Sequence, residues 1–182
     1  MKLDSPYMYL GQVPTSLTES VLPLLTEEDW YLLDYRSSMV PTVGESSYDS
    51  LLIRFSSNYK KNTIANLPIY DKYETAILAY VEWLKTYYEV EDFVCFFARL
   101  GPHHKIEMHK DGPIPYLADI HRIHFPIVTN ENCFYLFEDG QVHMATHSAY
   151  EIDNQRKHGV DNQGDEARIH LVVNVYGERK SL

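Results

Sequence analysis

The sequence predicts a mainly β domain with helices towards its N-terminus, its strands closing as a jelly roll. Three observations predict this. From Phe93 onward, short apolar or alternating runs recur near 93–99, 105–110, 120–128, 132–138, 141–148 and 167–176. Turn signals separate them: Gly101-Pro102, Gly112-Pro113, Thr129-Asn130, Asp139-Gly140 and Gln163-Gly164. Upstream, Ile77, Tyr80, Val81, Leu84 and Tyr88 recur at the spacing of one helix face, which suits a helix lying on a sheet. Helices followed by a run of short strands are most economically a jelly roll.

The elements follow in order. Tyr7, Tyr9 and Leu10 sit at near-alternate positions before Gly11 and predict a short strand or docked arm within residues 1–14. Ser16-Leu17-Thr18-Glu19 has the form of a capping box and predicts a helix start, with Pro23 keeping that helix short. The apolar run 30–36, Trp-Tyr-Leu-Leu-Asp-Tyr-Arg, reads as a strand ending in a charge. Tyr48 to Phe55 alternates and reads as another. Asp71, with Glu74 three residues later, reads as the cap of the amphipathic helix. Phe93 to Arg99 is apolar on both faces, as a buried strand is.

At 182 residues, 45% of them apolar, the chain suits one domain (1–182). Residues 1–92 would supply helical and strand support and the substrate side, and residues 93–176 the jelly-roll core. A net charge of −10 argues against a general nucleic-acid or anionic-membrane surface. No apolar run reaches the length of a transmembrane helix, and the N-terminus lacks the apolar core of a signal peptide. Cys95 and Cys133 lie in apolar runs and read as buried free thiols, which favours a reducing, cytoplasmic setting.

The chemistry concentrates in Ile106 to Asp111. In an extended chain, side chains two apart point to the same face, so His109 and Asp111 converge. His158 lies far downstream, and Arg168 follows it by ten residues at the head of a β-rich run. Two imidazoles and a carboxylate on one face of a metal, with positions left open, is the arrangement of non-haem Fe(II) oxygenases. In such enzymes an arginine shortly after the distal histidine holds the far carboxylate of 2-oxoglutarate. Strand alternation also puts Arg122 with His124, and Arg168 with His170, on faces opposite apolar residues, as a polar interior lining requires.

The region from about Leu100 to Tyr176 resembles the aspartyl/asparaginyl β-hydroxylase family, near its His-x-Asp members, which include free-proline hydroxylases. The matching pieces, in family order, are His109-Lys110-Asp111, Arg122-Ile123-His124-Phe125-Pro126-Ile127 and Tyr150-Glu151-Ile152-Asp153, then His158-Gly159-Val160-Asp161-Asn162 and Arg168-Ile169-His170-Leu171. The resemblance implies a cupin-like double-stranded β-helix using Fe(II), O₂ and 2-oxoglutarate to hydroxylate an amino acid, free or within a peptide. It implies His109, Asp111 and His158 as iron ligands, and Arg168 as the anchor of 2-oxoglutarate, with Arg122 and His124 as further contacts to that co-substrate. The family's namesakes lack the carboxylate ligand, whereas this chain has Asp111, so the substrate does not transfer from the name. Asp153 and Asn162 stand near enough in sequence to His158 to orient its ring. Arg36 closes an apolar run before a polar loop and is the expected contact for a substrate carboxylate. His103, His104, His121, His143, His147 and His170 are assigned no metal. Two other readings stand beside the oxygenase: a cupin-type hydrolase or isomerase using another divalent metal, and a non-catalytic metal-binding jelly roll.

Overall fold

The computed structural model describes residues 3–31, 48–56, 63–111 and 120–181. Eleven strands and two α-helices are present among them: β1 (Tyr7–Gln12), α1 (Thr15–Val21), β2 (Tyr48–Ser56), β3 (Ile64–Asn66), α2 (Tyr70–Leu84), β4 (Asp92–Leu100), β5 (His104–His109), β6 (His121–Val128), β7 (Cys133–Phe137), β8 (Gly140–Val142), β9 (Ser148–Ile152), β10 (His158–Asn162) and β11 (Arg168–Tyr176). They form two sheets, ordered β1-β9-β6-β11-β4-β2-β3 and β5-β10-β7-β8. Every pairing is antiparallel. This is the expected jelly roll, a double-stranded β-helix with helices on its larger sheet.

Strand alternation sorts the larger sheet into two faces. Ile123, Phe125 and Ile127 of β6, Leu171, Val173 and Val175 of β11, and Cys95 and Phe97 of β4 join one core with Tyr73, Ile77, Tyr80 and Leu84 of α2. Burying these side chains contributes about 1.5–3 kcal/mol each, which holds α2 against the sheet. The opposite face looks towards the smaller sheet. There Leu100, Tyr150 and Ile152 meet Cys133, Tyr135, Phe137 and Val160 in a second core. Arg122, His124, Arg168, His170 and Asn174 lie at the alternate positions that share this inner face. Both cysteines are free and buried.

Several expectations on elements are corrected. Residues 30–36 are not a strand where they are described: Glu27–Tyr31 is a 3-10 turn with three acidic residues in its first turn. Asp29 closes that turn by accepting from the Thr26 amide at 3.0 Å, and its carboxylate takes Lys72 Nζ at 2.6 Å and the Tyr73 hydroxyl at 2.7 Å. Acidic groups suit the positive end of a helical turn. The remainder of that run, with Arg36, lies outside the described residues. The helix α1 starts one residue before Ser16 and carries no side-chain cap, because Pro14 already turns the chain at its N-cap. Asp71 lies in the first turn of α2 rather than at its cap, and Tyr88 stands beyond the helix end at Leu84.

The run 141–148 is not one strand. His147 adopts φ 56°, a left-handed conformation that ends extended pairing, and β9 begins only at Ser148. Strand β10 lies outside the runs the sequence predicts, since Gly159, Asp161 and Asn162 are residue types depleted in strands. It is held as the central strand between β5 and β7.

Candidate active site

Register brings the two histidines together. His158 on β10 stands directly opposite His109 on β5, and the pairing slips by a bulge between His158 and Val160. The extra residue is on β5, where Glu107 and Met108 stand opposite Gly159. A Cβ on Gly159 would lie 2.7 Å from the Ile106 carbonyl oxygen and 3.3 Å from the Met108 amide nitrogen, so only glycine lets β5 run this close. Two residues past His109, the Asp111 backbone donates to the Asn154 carbonyl at 3.2 Å, which ties the end of β5 to the β9–β10 connection.

The donor atoms converge. Asp111 Oδ1 lies 3.8 Å from His109 Nε2 and 3.8 Å from His158 Nε2. One donor atom from each residue falls within 4.8 Å of the others, the single such group of three among the described residues. Nitrogen and oxygen donors sit about 2.1 Å from a zinc-sized ion, so two of them side by side on one face of it are about 3.0 Å apart. The 3.8 Å separations ask each imidazole–carboxylate pair to close by about 0.8 Å around an ion.

Both rings are also set in the right tautomer. His109 Nδ1 lies 2.7 Å from the Glu107 carbonyl and His158 Nδ1 lies 3.0 Å from the Arg156 carbonyl. A carbonyl only accepts, so each Nδ1 carries the hydrogen and each Nε2 offers its lone pair towards Asp111. Burial pulls the His158 pKa below its ordinary value, against the opposing pull of Asp111, so the ring is neutral at neutral pH. The expectation that Asp153 or Asn162 contacts the His158 ring is corrected. Asn162 lies four residues along the strand, about 13 Å away at strand rise, and binds the carbonyls of Gly101 at 2.9 Å and Glu166 at 2.8 Å. Asp153 acts one step removed: it holds Arg156 through the Arg156 amide at 3.0 Å and Nε at 3.3 Å. The carbonyl of Arg156 is the one that orients His158.

Behind the triad lies a buried polar lining. Arg168 is 2% exposed, yet no carboxylate pairs with it among the described residues, and its Nε has no hydrogen-bond partner there. Its Nη2 donates to His170 Nδ1 at 2.6 Å, and its guanidinium lies 5.7 Å from the centre of the Tyr135 ring. Burial pulls its pKa below the ordinary arginine value. Tyr135 faces His124 Nε2 at 3.4 Å, and His124 Nδ1 faces His170 Nδ1 at 3.4 Å. Burial, then the Arg168 charge, pushes both imidazoles well below their ordinary pKa, so both are neutral. Burial pushes the Tyr135 phenol up, so it keeps its proton and donates it.

Tyr135 links the two halves of the site. Its ring stacks on His158, centroids 6.0 Å apart, while it also faces Arg168. Arg122 is placed differently from His124. Its Nη1 donates to Asp111 Oδ2, and its Nε donates to Asn174 Oδ1 at 2.9 Å.

Of the residues expected from sequence, the structure brings together His109, Asp111, His158, Arg122, His124 and Arg168; Arg36 is outside the described residues. Sequence reasoning placed His170 beside Arg168 in a polar lining but missed Tyr135 and Asn174 as members of it. Asn174 had a usable signal, since it shares the strand face of Arg168. Tyr135 had none, being one aromatic among several in its strand.

Among the described residues, this jelly roll brings two imidazoles and a carboxylate together near a buried arginine that has no carboxylate partner, a donor set of the kind that non-haem Fe(II) oxygenases use. The aspartyl/asparaginyl β-hydroxylase family model matches residues 73–177, more than half of the chain. The chain belongs to that family of hydroxylases. No curated protein sequence matches it. In fold, it is similar to a prolyl-4-hydroxylase from Pseudomonas putida, at 13% identity and TM-score 0.52 over 96% of this chain and 94% of that one. It is also similar to a viral collagen prolyl hydroxylase from Paramecium bursaria Chlorella virus-1, solved with 2-oxoglutarate, at 8% identity and TM-score 0.51 over 94% and 97%. No helix among the described residues is long and apolar enough to cross a membrane.

Proposed function

We propose that this protein is an Fe(II)- and 2-oxoglutarate-dependent dioxygenase that hydroxylates a side-chain carbon of an amino acid, free or within a peptide. One observation carries the reading: Arg168 is a buried cation with no carboxylate beside it among the described residues. Leaving a charge so placed without a partner costs several kcal/mol, and an anionic ligand removes that cost. The distal carboxylate of 2-oxoglutarate is such a ligand, and a guanidinium fork takes it bidentately. A hydrolase or isomerase has no need of this anchor.

In this reading His109, Asp111 and His158 hold the iron, each imidazole through its Nε2 and Asp111 through Oδ1. Bound there with O₂ and 2-oxoglutarate, Fe(II) supplies oxidative decarboxylation and the oxidation of an unactivated C–H bond. The chain's own residues bind, orient and exclude water. Arg168 anchors the co-substrate. Neutral His124 and His170 offer hydrogen-bonding atoms without adding charge, and the protonated Tyr135 phenol donates one. Tyr150, Phe137 and Ile152 keep the inner face dry. The whole chain acts as one oxygenase domain, in a reducing cytoplasm that suits its two free thiols. Arg36 keeps its proposed role as the contact for a substrate carboxylate. The substrate's amino-acid character follows the family and the prolyl hydroxylases that share the fold.

The test is succinate release with Fe(II) and 2-oxoglutarate, across free amino acids and peptide pools, with His158→Ala as control. Substrate-dependent succinate that vanishes in the control supports the reading. Equal succinate release from wild type and control refutes it.

A further inference from the structure

Arg122 stands on the same inner face as Arg168, yet its environment is the opposite one. Arg168 has no carboxylate beside it among the described residues, whereas Arg122 donates through Nη1 to Asp111 Oδ2. It is aimed there from behind. Asn174 is its cross-strand partner on β11 and accepts from Arg122 Nε at 2.9 Å. Arg122 and Asp111 are 13% and 14% exposed, so water competes weakly with the pair. The two oxygens of Asp111 therefore have different neighbours. Oδ2 faces a guanidinium, and Oδ1 faces both imidazole Nε2 atoms at 3.8 Å.

We infer that Arg122 is a positioning residue for the metal-binding carboxylate: with Asn174 it holds the outer oxygen of Asp111, so that one oxygen alone is presented between His109 and His158. This rests on the metal site proposed above and deepens it. The resemblance would have made Arg122 a contact to 2-oxoglutarate, but two of its three guanidinium nitrogens are already engaged in this chain. Two consequences follow. A carboxylate that offers a single oxygen occupies one coordination position, which leaves others for the co-substrate and O₂. The guanidinium charge also offsets that of Asp111, so the metal keeps its full attraction for a dianion. Family members without the carboxylate ligand have nothing for this contact to hold.

The experiment separates metal affinity from co-substrate affinity. Mn(II), a redox-quiet stand-in for Fe(II), is titrated into wild type, Arg122→Met, Arg122→Lys and Asn174→Ala, with free Mn(II) read by electron paramagnetic resonance. 2-Oxoglutarate is then titrated into each protein at saturating Mn(II), read by intrinsic fluorescence. Losing an outer contact of this kind costs about 10–100-fold in metal affinity. Arg122→Met should fall in that range. Arg122→Lys should lie between it and wild type, since one ammonium reaches Asp111 but cannot also be aimed by Asn174. Asn174→Ala should show a smaller loss in the same direction, and it keeps the test open should Arg122→Met fail to fold. The affinity for 2-oxoglutarate at saturating metal should stay within a few-fold of wild type. Unchanged Mn(II) affinity in both Arg122→Met and Asn174→Ala overturns the inference. So does a loss of 2-oxoglutarate affinity at saturating metal as large as the loss of metal affinity. A wild-type protein that binds no Mn(II) overturns the metal reading itself, a separate and recognisable failure.

Discussion

Replacing Arg168 by Met should make the unliganded protein more stable and the enzyme nearly useless. Arg168 is 2% exposed, its Nε has no partner among the described residues, and its compensating contacts are hydrogen bonds with neutral His170 and with Tyr135, and the face of the Tyr135 ring. Those contacts do not repay the loss of hydration of a full charge. A methionine keeps most of the stem's volume and removes the charge, and apolar replacement of buried ionic groups stabilises by about 1–4 kcal/mol when it is not neutral. For a domain of this size each kcal/mol moves the melting temperature by about 2–4 °C. The protein without co-substrate should therefore melt about 2–16 °C higher. Co-substrate binding should suffer in the other direction. Removing one partner of a buried charge pair costs about 2–5 kcal/mol, which at about 1.4 kcal/mol per tenfold is a loss of about thirtyfold to several thousandfold. The assay is a thermal melt of Mn(II)-loaded protein with and without 2-oxoglutarate. At a hundred times its Kd a ligand adds about 2.7 kcal/mol of stability, and in Arg168→Met the same concentration should add about 0.9 kcal/mol or less. A variant that melts lower than wild type and keeps its 2-oxoglutarate shift would refute the reasoning.

Three further outcomes are expected. In Gly159→Ala the new methyl must move from 2.7 Å to an ordinary 3.4 Å from the Ile106 oxygen, opening β5 from β10 by about 0.7 Å between the two histidines. Such overpacking costs about 1–3 kcal/mol; metal titration should show a tenfold or larger loss, and unchanged affinity would mean the bulge does not set the site. Acidification should destabilise the metal-free protein below pH 6.5. His124 and His170 have folded pKa values well below 6.5, so the unfolded chain binds more protons there, and stability that is full above pH 6.5 is lost as pH falls. The expected loss by pH 5.5 is about 1–3 kcal/mol, and a melting temperature flat from pH 6.5 to 5.5 would contradict it. Glu151→Ala should destabilise by about 3–5 kcal/mol, because this 2%-exposed carboxylate accepts from Tyr88 Oη at 2.7 Å, contacts His121 Nδ1 at 2.6 Å and pairs with Arg179. Denaturant melts check it, and a loss under 1 kcal/mol would show those partners to be solvated in its absence.

Some of the expectations failed where local pattern was a poor guide. The apolar run at 30–36 read as a strand, but Asp29 draws its beginning into a turn by binding Lys72 and Tyr73, which are distant in sequence. The run at 141–148 alternated convincingly, but a left-handed His147 divides it. Strand β10 has a weak β signal of its own and exists because β5 and β7 pair with it on both sides. Its Gly159 is the feature that lets the two histidine strands approach.

By itself the sequence determined the fold class, the amphipathic face of α2, and the pairs His109/Asp111, Arg122/His124 and Arg168/His170. Each of these depends on alternation over a few residues, and side-chain direction along one strand or helix is a local property of the backbone. Only the tertiary structure decided which strand faces which. The register that sets His158 opposite His109, the choice of Arg122 for Asp111 while Arg168 has no carboxylate beside it among the described residues, and the entry of Tyr135 between His158 and Arg168 all join residues from separate strands. Their partners are selected by the packing of two sheets, and by the cost of burying charge, which depends on the whole enclosure.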